Sequence, residues 1–203
     1  MMKKSFFMRT YNLNIYLMLF SLLTGFLGWS LSFLASTLDL ALPIALDLSR
    51  VNSYLAMGSH YAYMAMSYLL GTLFASVTLE VLNRIRFDSL FNYFKSIYHT
   101  FKLRNFLTQR EKSEKATTID NQTITTYNPI NGSVNRCAHK SVADIRKDEV
   151  TVFIKVPRDQ QGQKVLGDMT SQLKEEVSSQ HPDYYFSAPN RVRNSLWLVG
   201  KRR

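Results

Sequence analysis

The spacing most suggestive of chemistry is Gly162-Gln163-Lys164-Val165-Leu166-Gly167-Asp168-Met169, in which two glycines stand five apart as in a phosphate-binding loop. That loop requires Lys and then Ser or Thr after the second glycine, so that an ammonium reaches phosphate and a hydroxyl reaches its metal. Asp168 and Met169 hold those places. A carboxylate there repels phosphate, and the segment is expected inside a helix rather than opening one. Cys137 and His139 are two apart, while His60, His99 and His181 are scattered, and neither H-E-x-x-H nor G-x-S-x-G occurs. One cysteine excludes an intramolecular disulfide framework and a multi-cysteine zinc site. Asp144, Asp148 and Glu149 near Arg146 and Lys147 read as a solvated charge run. Neither enzymatic activity nor a cofactor nor a metal is expected.

Arg191, Arg193, Lys201, Arg202 and Arg203 are the candidate contacts for a partner or for phosphate. They suit an acidic protein surface, or nucleic-acid phosphates in salt-sensitive contacts. They are equally the ordinary basic surface of a protein beside an anionic membrane. No nucleic-acid-binding motif accompanies them.

The elements that must carry these residues divide the chain in two. The 203 residues have a formal net charge of +10, but only seven Lys, Arg, Asp or Glu side chains lie in residues 1–82 and the other thirty-three follow. No charge interrupts the stretch between Arg9 and Asp39, and a second charge-free run extends from Val51 to Thr78 with His60 as its only ionisable interruption. A bilayer core of ~30 Å needs about 20 helical residues, so two spans are expected at about residues 13–36 and 61–82. Lys3, Lys4, Arg9 and the small pair Ala35-Ser36 imitate a cleavable signal peptide, but the apolar run exceeds the roughly 7–15 residues of a signal core. Ser21, Gly25 and Gly28 on the first helix, with Ala62, Ala65, Ser67, Gly71, Ala75 and Ser76 on the second, supply small residues for close helix pairing.

Basic residues flank both spans on one side, whereas the connection from Thr37 to His60 holds Asp39, Asp47 and one Arg50. The positive-inside bias therefore predicts a plasma-membrane protein with both termini cytoplasmic. Leu38, Leu40, Leu42, Ile44 and Leu46 make that connection too apolar for free solvent and suit the membrane interface.

Over residues 83–110 the apolar period becomes helical. Phe87, Leu90, Phe91, Phe94, Ile97, Tyr98 and Phe101 form a stripe, and Arg84, Arg86, Lys95, Lys102 and Arg104 are candidate membrane-surface contacts. The stripe suits either a leaflet or another subunit. Residues 111–148 read as a polar linker, with short pairing to be considered at Thr123–Tyr127 and Ser141–Ile145. Residues 149–203 read as a small β-α-β-β domain: alternation at Val150, Val152, Ile154 and Val156, then Asp159 as N-cap, helical spacing from Val165 to Val177, and strands at Tyr184–Ser187 and Ser195–Val199. A crossover makes the first two strands parallel. One helix covers one face, so Phe153, Trp197 and Val199 are expected to want a cover from elsewhere.

The fold class is thus a two-span helical hairpin, a juxtamembrane amphipathic helix and a small α+β cytoplasmic domain. Over residues 13–82 this topology resembles the membrane-anchor part of conjugative type IV coupling proteins. The resemblance implies a non-catalytic anchor or docking subunit that recruits a separate cytoplasmic ATPase in DNA transfer, and none of that family's catalytic residues has a counterpart here. A regulatory or sensory membrane protein and a plasmid or phage exclusion factor are the alternatives. Expected partners are membrane lipid, other membrane or cytoplasmic subunits, a second copy of the chain, or nucleic acid.

Overall fold

The computed structural model describes residues 3–41, 49–109, 116–117, 123–124 and 129–203. The chain separates into two compact units, Arg9–Leu82 and the pair of segments Met1–Met8 and Asn83–Arg203.

The first unit is built from α1 (Phe6–Ala41) and α2 (Ser49–Phe87), each longer than the expected span. Both are long and apolar enough to cross a membrane. Of their most apolar windows only 11% and 6% are buried within the chain, whereas the core helix of a soluble protein is mostly buried. Phe20, Phe26, Phe33, Tyr68 and Phe74 all face outward. Several hydroxyls on these helices are satisfied by their own helix: Thr24 donates to the Phe20 carbonyl at 2.9 Å, Ser30 to Phe26 at 2.8 Å and Thr72 to Leu69 at 2.8 Å. Internal satisfaction is what a polar group needs where no water is available.

The two helices meet at small residues, as expected. A Cβ on Gly25 would stand 2.8 Å from the Met66 sulfur, and one on Gly28 would stand 3.2 Å from the Tyr63 ring and 3.3 Å from Ala62. Ser21, Ala35, Ser59 and Ala62 are buried in the same unit. Gly71 has open space around it and takes no part. The interfacial role expected of Leu42, Ile44 and Leu46 falls outside the described residues.

The second unit is an antiparallel sheet with helices. After α3 (Leu90–Leu107) come the short pair β1 (Ala116–Thr117) and β2 (Thr123–Ile124), then α4 (Pro129–Ala138), β3 (Val142–Ile145) and β4 (Glu149–Lys155). The chain continues through α5 (Gln160–Asp168), α6 (Thr170–Gln180), β5 (Tyr184–Phe186), β6 (Asn190–Val192) and β7 (Ser195–Arg202). The sheet order is β3-β4-β7-β5, with β6 also paired to β7. The expected crossover is present in altered form: β4 and β5 both run antiparallel to β7, so they are parallel to each other but separated by it.

Asp159 caps α5 as expected, accepting from Gly162 N–H at 2.7 Å. The two glycines of the would-be phosphate loop lie within α5, and the single expected helix breaks at Met169 into α5 and α6. Val150, Val152, Ile154 and Val156 pack with Leu166, Leu173, Val177, Leu198 and, from α3, Leu103 and Leu107 in one core. Four elements lie in the stretch expected to be linker, β1, β2, α4 and β3, of which β2 and β3 fall where short pairing was to be considered. Pro129, favourable at a first helical position, opens α4, and β3 pairs with β4 in the register Val142↔Phe153.

The second sheet face is already covered. Phe153 and Trp197 are buried, as is Val142 beside them, while Val199 is half-buried, and the Lys4 ammonium sits 3.6 Å from the centroid of the Phe153 ring. Phe153 and Trp197 meet edge to face at 5.1 Å. The expectation that a partner must cover this face is therefore corrected: the N-terminal segment of the same chain contributes the cover.

Replacing Gly28 by Leu should destabilise the hairpin by ~1–3 kcal/mol, the usual cost of overpacking, while Gly71→Leu should be neutral. Thermal unfolding of the detergent-solubilised chain tests this, and equal effects of the two substitutions would refute the pairing described.

Candidate functional site

The site is assembled on α3, which has two opposed faces. At ~100° per residue, Ser96, Thr100, Leu103 and Leu107 share about 60° of arc, and all four are buried. Phe91, Phe94, Tyr98 and Phe101 share about 80° on the opposite side, and all four are exposed, Phe91 by 78% and Phe101 by 70%.

The buried face is clasped to the free edge of β3. Ser141, Ala143 and Ile145 expose backbone groups every second residue, a repeat of ~6.8 Å, and every fourth residue of a helix advances ~6 Å. The two repeats nearly match. Thr100 Oγ1 accepts from Ala143 N–H at 3.0 Å and donates to the Ala143 carbonyl at 3.1 Å. Ser96 Oγ accepts from Ile145 N–H at 2.9 Å and donates its own proton to the Asn92 carbonyl at 2.7 Å. Arg104 Nε donates to the Ser141 carbonyl at 2.9 Å.

Arg84 completes the clasp from the last turn of α2. It donates to the Ile145 carbonyl at 3.0 Å and meets Asp144 at 2.5 Å and Asp88 at 3.3 Å. Its guanidinium lies 5.2 Å from the Phe7 ring centroid and 5.6 Å from that of Tyr93. Arg84 is only 3% exposed, so its expected role at a membrane surface is corrected: burial beside two carboxylates makes it an internal fastener. Arg104 is likewise turned to the β3 edge. Arg86, Lys95 and Lys102 are exposed, with Arg86 5.3 Å from the Phe87 ring and Lys102 3.7 Å from a Glu176 oxygen. Asp144 is an internal ion-pair member rather than part of a solvated run.

The flank of α3 between its two faces lines a cleft of about 490 Å³. Asn92, Lys95 and His99 form one wall, Lys147 comes from the β3–β4 turn, His181 and Asp183 from the α6–β5 connection, and Arg202 from β7. The turn is held in place by Lys147 N–H donating to Asp88 at 3.0 Å and by Tyr184 Oη donating to the Arg146 carbonyl at 2.9 Å. Burial raises the Tyr184 phenol above its ordinary range, which keeps it a donor.

His99 and His181 face each other with ring centroids 4.4 Å apart. Burial, the neighbouring His99 and then Lys95 push His181 down to about 4, against a weaker opposing effect of Asp183. Burial also lowers His99, opposed by its hydrogen bond to Gln180 at 3.1 Å. Both rings are neutral at pH 7. Tyr98, on the aromatic face, meets His99 edge to face at 5.3 Å, so the cleft wall and the aromatic face are in direct contact.

The basic residues expected to act together are split. Arg191 and Arg193 lie at one end of β7 and Lys201, Arg202 and Arg203 at the other, about 24 Å away at ~3.4 Å per strand residue. Arg191 donates to Gln163 at 2.8 Å, and Arg193 occupies the turn before β7 with φ 53°, in the left-handed region. Of the five, Arg202 lines the cleft. Lys147, read from the sequence as part of a solvated charge run, and His99 and His181, read as scattered, meet in this cleft; no local spacing unites three elements so far apart in the chain.

Cys137 is half-buried, and burial raises its thiol above the ordinary value. Among the described residues no group of three or more His, Cys, Asp or Glu side chains could hold a metal ion. No protein-family model, curated protein or solved structure matches the chain.

Thr100→Val keeps the shape but leaves the Ala143 N–H and carbonyl without partners, which should cost ~1–3 kcal/mol. Thr100→Ser should restore most of the loss in thermal unfolding of the detergent-solubilised chain. A fully stable valine variant would mean that the clasp contributes nothing.

The histidine pair sets a pH dependence. A folded pKa below the unfolded value means that the unfolded chain takes up more protons between them. Stability from His181 is therefore complete above about 6.5 and is lost as pH falls toward about 4. Melting temperatures measured across that window should fall with acidity, and less steeply in His181→Asn; an unchanged slope in the variant would remove the pair as the cause.

Proposed function

We propose that the chain is a two-span membrane protein whose basic α+β unit is held against the cytoplasmic leaflet and serves as an anchor and docking subunit without catalysis of its own. The observation that carries this reading is apolar surface left without a protein cover: two long helices buried within the chain over a small fraction of their apolar length, and an aromatic face on α3 pointing away from its own sheet. Soluble proteins rarely expose contiguous apolar patches larger than a few hundred Å². Phe91, Phe94, Tyr98 and Phe101 suit the headgroup boundary, where an amphipathic helix buries its apolar side roughly 5–10 Å deep. Lys95 and Lys102, on the flank, suit an anionic leaflet.

Positive flanks at Lys3, Lys4 and Arg9 and again from Arg86 onward favour cytoplasmic termini. Docking of a separate ATPase, as in conjugative coupling systems, would use the same architecture; its support is the two-span topology of residues 13–82.

Topology is tested by cysteine accessibility. In a Cys137→Ser background, Ser53→Cys should react with an impermeant maleimide on intact cells, and Lys140→Cys only after permeabilisation. The reverse pattern would overturn the orientation, and recovery of the chain in the soluble fraction without detergent would overturn the membrane reading itself.

A further inference from the structure

We propose that the cleft between α3, the β3–β4 turn and the α6–β5 connection is a binding site for the headgroup of an anionic phospholipid, with the acyl chains lying along the aromatic face of α3. The inference rests on the membrane reading above and adds to it a specific ligand class.

Charge is the first reason. Lys95, Lys147 and Arg202 all line the cleft, and among the described residues none of the three is in an ion pair. Asp183 offsets one of these charges, so the cleft carries an excess of two positive charges at neutral pH while both histidines are neutral. Two further carboxylates lie near the cleft without lining it: Asp88 is already engaged by Arg84, Asn92 and the Lys147 amide, and Asp148 sits in the β3–β4 turn, where its carbonyl accepts from Arg202 N–H at 3.0 Å. Unpaired cations from three separate elements converging on one concavity are an arrangement for a phosphate group, to which Lys presents a point charge and Arg a planar fork.

Size and position are the second reason. A volume of about 490 Å³ lies within the roughly 300–1,000 Å³ range of small-molecule sites, more than a phosphate ion fills and enough for a phosphorylated glycerol headgroup. The site adjoins apolar surface at α3. His99 in the cleft wall contacts Tyr98, and Tyr98 belongs to the exposed row with Phe91, Phe94 and Phe101. A ligand that fits both surfaces has an anionic head and a long apolar body. A soluble phosphate ester fits the cleft and leaves the aromatic row unused.

The test uses the full chain in detergent and native mass spectrometry with dioleoyl phosphatidic acid, dioleoyl phosphatidylcholine and glycerol 3-phosphate. Phosphatidic acid should form a discrete adduct in preference to phosphatidylcholine. The triple variant Lys95→Ala, Lys147→Ala, Arg202→Ala should bind it about a hundredfold more weakly, the combined effect of three membrane-surface cations. The equally charged control Lys140→Ala, Arg158→Ala, Lys164→Ala should bind it as the parent does. Equal affinity in the cleft variant, or equal losses in both variants, would overturn the site. Displacement of the lipid by glycerol 3-phosphate at comparable concentration would overturn the lipid as the ligand in favour of a soluble phosphate. Each variant is also reconstituted in bilayer nanodiscs: retention there leaves the membrane reading intact whatever the lipid result, and failure of the parent chain to be retained refutes that reading separately.

Discussion

The free edge of β3 is the constraint on which the rest of the second unit depends. An edge strand presents unpaired N–H and carbonyl groups that must find water, another strand or side chains. Here side chains of α3 and Arg84 occupy that edge, with Ser96 and Thr100 each meeting the backbone of one strand residue. The arrangement works because a helical step of four residues and a strand step of two residues have nearly the same length. Small hydroxyls are the right groups, since they accept and donate at one atom and allow the helix axis to come close. Arg84 adds charge to the same edge. A buried pair of this kind is weak evidence for net stability, but loss of the arginine would leave the buried Asp144 with only the half-exposed Arg146, at 3.2 Å, to balance it.

This clasp reverses the usual logic of an amphipathic helix. The face that packs on protein is half polar, and the most aromatic face is left outside. Because Ser96 and Thr100 fix the rotation of α3, they also fix which direction Phe94 and Tyr98 point and which flank supplies Lys95 and His99 to the cleft. Specificity of orientation and chemistry of the cleft therefore share one cause. The same rotation turns Arg104 inward and Lys102 outward, though both are basic residues in a single turn of helix.

The elements with strong local patterns were legible in the sequence. Alternation from Val150 to Val156 marks β4, Asp159 marks the start of α5, and Leu166, Leu173 and Val177 face the core as their spacing implies. The small-residue contact at Gly25 and Gly28 was legible for the same reason. The period of α3 was legible too, but not the choice of its buried face, because Ser96 and Thr100 look like solvent positions until a strand edge is beside them. Ser141–Ile145 was legible only as a place for short pairing, because four strand residues of mixed character do not establish an edge strand by themselves. The cover over Phe153 was invisible because it comes from Lys4, at the far end of the chain and in a segment whose charges have an obvious membrane-flank explanation. The cleft drew on Lys95, Lys147, His181 and Arg202, which only the sheet order β3-β4-β7-β5 and the placement of α3 bring together.

That sheet order has a consequence for biogenesis. β7 lies between β4 and β5, yet it is the last of the strands to leave the ribosome. Until it arrives, β5 has no neighbour to pair with, and β4 has only β3. Lys4 and Phe153 meet across about 150 residues of chain, and contacts of such sequence separation form slowly. The apolar helices of the first unit are complete long before then. Folding of the sheet is thereby deferred until after both long helices have emerged.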